Sequence, residues 1–274
     1  MIRTTFSDSV TRFDLARTLA GRGRYWTTAY LVDGLLVDSG CAHTASALLS
    51  ALEGRELSWI ANTHTHEDHI GANGLLQRSR NGLHIRAHPL ALPVLAAPRD
   101  LQPLHPYRRL FWGWPEPCEA RALQDLEFIE TKKFRFQVHF TPGHSPDHLC
   151  LYEVDQGWLF TGDLFVGGND RALRAGYDIW QIIASLKRIA DLSATRLFPG
   201  SARLRDDPQA ALQAKINYLE DLGERVLALH KKGWPVGEIT RQVCGGPMWV
   251  EFVTLGHFSR RHLVLSYLGE NHDG

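Results

Sequence analysis

Residues 62–74 read NTHTHEDHIGANG and place four side chains able to hold a metal within six positions, His64, His66, Asp68 and His69. This run constrains the fold more than any other stretch, because converging ligands need a rigid element to present them. The apolar residues 57–61 immediately precede it, and a strand over 58–62 is expected to deliver it. Successive side chains of an extended strand point to opposite faces, so His64 and His66, two apart, can aim at one ion while Asp68 and His69 serve a neighbouring one. Imidazole and carboxylate suit zinc, iron or manganese. With no thiolate in the set, the pattern points to a catalytic rather than a structural site.

The HxHxDH string at 64–69 resembles the metal signature of the metallo-β-lactamase superfamily, which includes glyoxalase II, RNase Z, lactonases and persulfide dioxygenases. The rest of that pattern follows in order: Asp38 in LLVDSG, His144 in TPGHSPDH and Asp163 in LFTGD. The resemblance implies an α/β fold, an αββα sandwich, in which His64, His66 and His144 hold one metal. Asp68 and His69 would belong to a second metal, with Asp163 bridging the two. It implies one or two zinc ions, with iron or manganese as the alternatives. Asp68, His69 and Asp163 would handle the attacking water, and Asp38 would hold the HxHxDH loop by hydrogen bonds.

One motif departs from the family. Where a late PGH usually supplies a histidine to the second metal, this chain has LFPGSAR, with Ser201 in that place. A neutral hydroxyl is a weak zinc ligand. Three outcomes follow: a single metal on His64, His66, His144 and Asp163; a second metal held loosely by Asp68, His69, Asp163 and water; or a substitute imidazole. His257 in LGHFSRRHL is the candidate substitute, since HFS resembles the late ligand string of RNase Z, and a capping or core histidine is the other reading.

Lys and Arg total 30 and match the 30 Asp and Glu, so no global field draws this chain to nucleic acid or to an anionic membrane. No apolar stretch approaches the roughly 20 residues of a membrane span. The N-terminus lacks the apolar core of a secretory signal. Cys41, Cys118, Cys150 and Cys244 are far apart and form no CxxC pair, and a reducing cytoplasm is expected.

Residues 25–32 and 35–37 flank Asp33-Gly34, a tight-hairpin signal. Helical spacing over 44–52 and 75–79, strands at 83–87, 128–131, 134–140, 150–154 and 158–161, and helices at 179–192 and 208–231 complete an α/β layering. The ligands fall at strand ends. A catalytic core over 1–205 and a helical C-terminal segment over 206–274, packed on it, are expected. Residues 101–118, LQPLHPYRRLFWGWPEPC, form an aromatic insert that either roofs the metal cleft, with Arg108 and Arg109 placed for a carboxylate or phosphate, or folds back or makes a homodimer contact.

A dication lowers the pKa of its water toward neutrality and polarises a carbonyl, so hydrolysis of a small-molecule thioester, ester or lactone is the expected reaction. A mononuclear iron sulfur dioxygenase is the alternative that the changed Ser201 site raises. A phosphodiesterase or nuclease is the other, weakened by the neutral charge and dependent on a local basic face of Arg108, Arg109, Arg171 and Arg174.

Overall fold

The computed structural model describes residues 1–271 apart from Asp8, Pro103 and Ala202. Seven strands form the first sheet in chain order: β1 (Ile2–Ser7), β2 (Val10–Leu19), β3 (Arg22–Val32), β4 (Leu35–Val37), β5 (Trp59–Ala61), β6 (His84–Ala87) and β7 (Ala120–Ala122). Pairing is antiparallel through β4 and parallel from β4 to β7. The second sheet contains β8 (Phe128–Glu130), β9 (Arg135–Phe140), β10 (Leu149–Glu153), β11 (Trp158–Gly162) and β13 (Arg196–Pro199), with β13 parallel to β11 at one edge. A third, two-stranded ribbon pairs β12 (Leu173–Arg174) with β14 (Phe258–Ser259).

Side-chain alternation assigns the layers. In β3, Tyr30 and Val32 turn inward while Ala29 and Leu31 turn outward; in β10, Leu149 and Leu151 turn inward and Cys150 outward. The inward sets meet as one apolar filling that includes Leu35, Val37, Phe136, Phe160 and Phe198. Tyr30 Oη donates to Pro199 O at 2.7 Å and ties the sheets together. On the outer face of the first sheet lie α1 (Ala45–Ala51), α2 (Asn73–Ser79) and α3 (Leu92–Ala96); the short α4 (Pro98–Leu101) and α5 (Pro106–Phe111) follow. The second sheet's outer face is covered by α6 (Ile179–Ala190), α7 (Pro208–Lys231), α8 (Val236–Cys244) and α10 (Arg260–Tyr267), with α9 (Trp249–Val253) between the last two. The result is helix, sheet, sheet, helix. Ile183 and Leu186 of α6 share one apolar cluster with Leu212, Ile216, Leu219 and Leu263, so the C-terminal helices pack directly on the sheet-bearing part.

Asp33 and Gly34 have φ of 46° and 83°, as a tight hairpin requires. Two expectations change. The strand expected over 58–62 ends at Ala61, so the histidine run lies in a loop, not on a strand. The strands β1 and β2 are additional to the expected elements, and β1 is exposed at four successive positions and shows no alternation. All four cysteines are buried and free. No helix among the described residues is long and apolar enough to cross a membrane.

Candidate metal centre

Parallel strands β4 and β5 end side by side, and the chain turns out of both at the same edge. Asp38, directly after β4, adopts φ 59°, a left-handed conformation that Asp tolerates better than most side chains. Its buried carboxylate accepts from Thr63 N at 2.8 Å, Thr63 Oγ1 at 2.8 Å and His69 Nδ1 at 2.7 Å. These bonds determine ring orientation. Because Thr63 Oγ1 gives its hydrogen to Asp38, its lone pair receives Nδ1–H of His64 at 3.0 Å, leaving His64 Nε2 as a bare donor atom. His69 likewise turns Nε2 away from Asp38. That atom is buried with no hydrogen-bond partner, 3.4 Å from Asp163 Oδ2 and 3.9 Å from Asp68 Oδ2.

His144 arrives from the turn after β9. Gly143, at φ 126°, lets that turn press against the start of α6, where a Cβ would overlap the Ile182 backbone nitrogen. Asp163 leaves β11 after Gly162, at φ 48°, where a Cβ would overlap Thr63 Oγ1. Thus β11 and the histidine loop approach as closely as backbone allows.

His64 Nε2 lies 2.8 Å from His66 Nδ1, and His144 Nε2 lies 3.1 Å from the same atom. Tetrahedral zinc with Zn–N bonds near 2.05 Å separates its nitrogens by about 3.3 Å, so these two separations fall about 0.5 and 0.2 Å short of that spacing. Donor atoms of His64, His69 and Asp163 form a second group, all within 4.8 Å of one another. Asp163 Oδ2 lies 3.9 Å from His144 Nε2, between the groups. The fit to a metal is therefore good: three convergent nitrogens and an orphaned imidazole nitrogen facing carboxylates.

Electrostatics agree. Burial, with the neighbouring histidines, holds His64 and His66 well below the ordinary imidazole range and His144 down to about 4, which favours the neutral rings that a metal would need. Burial also opposes a charged His69, yet Asp163, Asp38 and Asp68 together hold it well above its usual value. The carboxylates that favour a proton there also favour a dication. Burial pushes Asp68 up to about 7 against the pull of His69.

His66 Nε2 reaches Tyr177 Oη at 3.0 Å and Arg174 Nη1 at 3.1 Å. Arg174 is donor-only and would make that nitrogen an acceptor, whereas a metal on Nδ1 requires a hydrogen there. A metal on Nδ1 would therefore select the Tyr177 bond.

Ser201 is exposed and donates to Asp163 Oδ1 at 3.2 Å. His257 is not brought together with the other ligand-type residues. It belongs to neither donor group, and its two ring nitrogens face Arg174 Nε at 2.9 Å and Tyr107 Oη at 2.7 Å. The competing expectation of a helix cap also differs, since Ser259 caps α10.

Several site residues were not singled out from sequence. His148 is fully buried behind His64, with ring centroids 5.1 Å apart. Its Nδ1 pairs with Thr141 Oγ1 at 2.9 Å and its Nε2 has no partner; the TPGHSPDH string contained it, but nothing in the spacing separated it from a core histidine. Glu67, inside HxHxDH, is fully buried and takes a two-pronged ion pair from Arg108 of α5. This pair fastens the insert over the site. Arg108→Ala leaves a buried carboxylate unpaired and is expected to cost about 3–5 kcal/mol. Denaturant unfolding checks it, and adding Glu67→Gln should recover part of the loss.

The insert roofs the site. Tyr107, Arg108, Phe111 and Trp112 line a cavity of about 250 Å3 together with Tyr25, Trp26, His66, Asp68, His144, Asp163 and Tyr177, and Val250, Val253 and Phe258 close it from the C-terminal side. Of the four arginines considered for a basic face, Arg108 pairs with Glu67, Arg171 donates to Cys244 O, and Arg174 turns to His257 and His66. Arg109 remains exposed.

The family model of the metallo-beta-lactamase superfamily matches residues 23–201, a span that holds Asp38, the histidine loop, His144, Asp163 and Ser201. The chain belongs to that superfamily. A metallo-beta-lactamase family protein from Thermus thermophilus shares the fold with a TM-score of 0.70 at 22% identity, covering 94% of this chain and 93% of that one. Among curated relatives, a hydroxyacylglutathione hydrolase of Ectopseudomonas mendocina is 33% identical over 165 residues, 60% of this chain and 54% of its own length. An atrochrysone carboxyl ACP thioesterase of Aspergillus fumigatus is 25% identical over 197 residues, 70% of this chain and 55% of its own. This superfamily member thus spans a little over half the length of the curated relatives it matches. Of the last two, one is named a hydrolase and the other a thioesterase.

Proposed function

We propose that this protein is a metal-dependent hydrolase of a small acyl compound, with a thioester as the preferred bond over an ester or lactone. The observation that carries the reading is the convergence of His64 Nε2, His66 Nδ1 and His144 Nε2, with His66, His144 and Asp163 lining a largely aromatic cavity. The hydrolase names of two relatives support it. Zinc held by His64, His66, His144 and Asp163 would supply a hydroxide near neutral pH and polarise the acyl carbonyl. Asp68, which lines the cavity with His66 and Asp163, would receive the proton of the attacking water and return it to the leaving thiolate. Tyr25, Trp26, Phe111 and Trp112 supply apolar walls for the acyl group.

Zinc-loaded protein assayed on a panel of thioesters, lactones, esters and phosphodiesters tests this. Thiol release from a thioester is expected. Cleavage of phosphodiesters alone would sink the assignment.

Ser201 favours a strong first site and a weak second one, because its hydroxyl offers the second position little. Ser201→His is expected to raise zinc content from one toward two per chain on metal analysis. The same weakness keeps a second reading: one iron per chain with oxygen uptake on glutathione persulfide would replace hydrolysis by sulfur dioxygenation.

A further inference from the structure

A single polar chain connects the C-terminal segment to the cavity. Arg174 in β12 donates from Nε to His257 Nε2 at 2.9 Å, and His257 Nδ1 lies 2.7 Å from Tyr107 Oη. A guanidinium has only hydrogens to give, so His257 Nε2 is the acceptor and the ring's one hydrogen sits on Nδ1. A cationic imidazole would set two donors against each other at Arg174. Burial and the Arg174 charge push His257 down to about 3, in keeping with a neutral ring. His105 stacks on that ring with centroids 3.9 Å apart and keeps it from turning over.

The consequence falls on Tyr107. Its oxygen receives Nδ1–H, so the phenolic hydrogen points elsewhere, and no acceptor among the described residues takes it. Tyr107 lines the cavity that holds His66, Asp68, His144 and Asp163. We propose that the Tyr107 hydroxyl donates its hydrogen bond to the acyl oxygen of the substrate, with Arg174 and His257 as positioning residues that direct it there. The assignment rests on the acyl-hydrolase reading. As the attacking hydroxide forms its bond to the carbonyl carbon, the C=O π pair moves onto oxygen and the Tyr107 hydrogen bond strengthens on the anion. The proton stays on Oη, and the pair returns to re-form C=O as the C–S bond breaks and its electrons leave with the thiolate. Burial pushes Tyr107 up to about 12, which keeps it a donor throughout.

Two replacements of equal shape at position 257 separate donor direction from packing. His257→Gln keeps an acceptor toward Arg174 and a donor toward Tyr107. His257→Glu accepts on both sides, which draws the Tyr107 hydrogen out of the cavity. On zinc-loaded protein, Tyr107→Phe and His257→Glu are each expected to lower kcat roughly 10- to 100-fold with KM little changed, and His257→Gln to stay within about 3-fold. In the Tyr107→Phe background, His257→Glu should add nothing further. Two readouts need no turnover. Nitrogen-15 NMR of labelled histidine should show His257 with its hydrogen on Nδ1, and phenylacetate, a product-like carboxylate, should bind zinc-loaded Tyr107→Phe several-fold more weakly than the parent. A hydrogen on Nε2, unchanged phenylacetate affinity, or an equal His257→Glu loss in the Tyr107→Phe background would overturn the proposal. If no acyl compound is hydrolysed, the acyl-hydrolase reading fails, while the NMR and phenylacetate results still decide where Tyr107 directs its hydrogen.

Discussion

His144→Ala is expected to strip the first metal and to lower hydrolysis on the order of a thousandfold or more, whereas His257→Ala should leave the metal count unchanged. His144 Nε2 lies 3.1 Å from His66 Nδ1 and completes a three-nitrogen set. Metal binding of this kind is worth about 10 kcal/mol or more, spread over few ligands, so losing one of three imidazoles removes several kcal/mol of affinity. The variant should still fold, because His144 sits on a turn and its side chain is part-exposed at 13%. Both ring nitrogens of His257, by contrast, are committed to Arg174 and Tyr107. Metal counted per chain after dialysis, with circular dichroism as a control for folding, decides the matter. Full metal retention in His144→Ala would mean that the donor set is misassigned.

Asp38→Ala is expected to cost about 3–5 kcal/mol of stability and to weaken metal binding with it. Asp38 is 2% exposed and takes three hydrogen bonds, from Thr63 N, Thr63 Oγ1 and His69 Nδ1. Each donor left unsatisfied in a dry interior costs about 1–3 kcal/mol, partly offset because a buried anion is also removed. A loss of that size should lower the melting temperature by about 10 °C in a chain of this length. Asp38→Asn sharpens the test. The amide keeps one acceptor but sets its NH2 against either the Thr63 donors or His69 Nδ1–H, so ring orientation suffers more than packing. Thermal melts in chelator report the structural cost, and zinc titration of the same variants reports the effect on the site. A melting temperature unchanged in Asp38→Ala would show that the network is not tensioned as described.

Much of the site is legible in the sequence. His64, His66, Asp68 and His69 crowd six positions, and Asp38, His144 and Asp163 each follow an apolar run that ends in a turn. Chemistry this concentrated survives translation into one dimension. The route by which His64 and His66 converge was not readable. Strand periodicity offered a reason, but the strand stops at Ala61, and the rings meet because Asp38 and Thr63 orient His64 and because His66 uses Nδ1 while His64 uses Nε2.

From sequence alone come the identity of the ligand-type side chains, the αββα order of elements and the absence of the usual imidazole at Ser201. The ligand types are carried by residue identity and spacing within a few positions, whereas the αββα order and the significance of Ser201 come from the resemblance of those motifs to a known family. The tertiary structure alone decides the rest. Glu67 meets Arg108 across 41 residues, Tyr107 meets His257 across 150, and Arg174 meets His66 across 108. Those contacts depend on the two sheets closing and on the C-terminal helices folding back over α6. The free energy that brings them about is burial summed over whole layers, and it leaves no periodic mark on the partners it brings together.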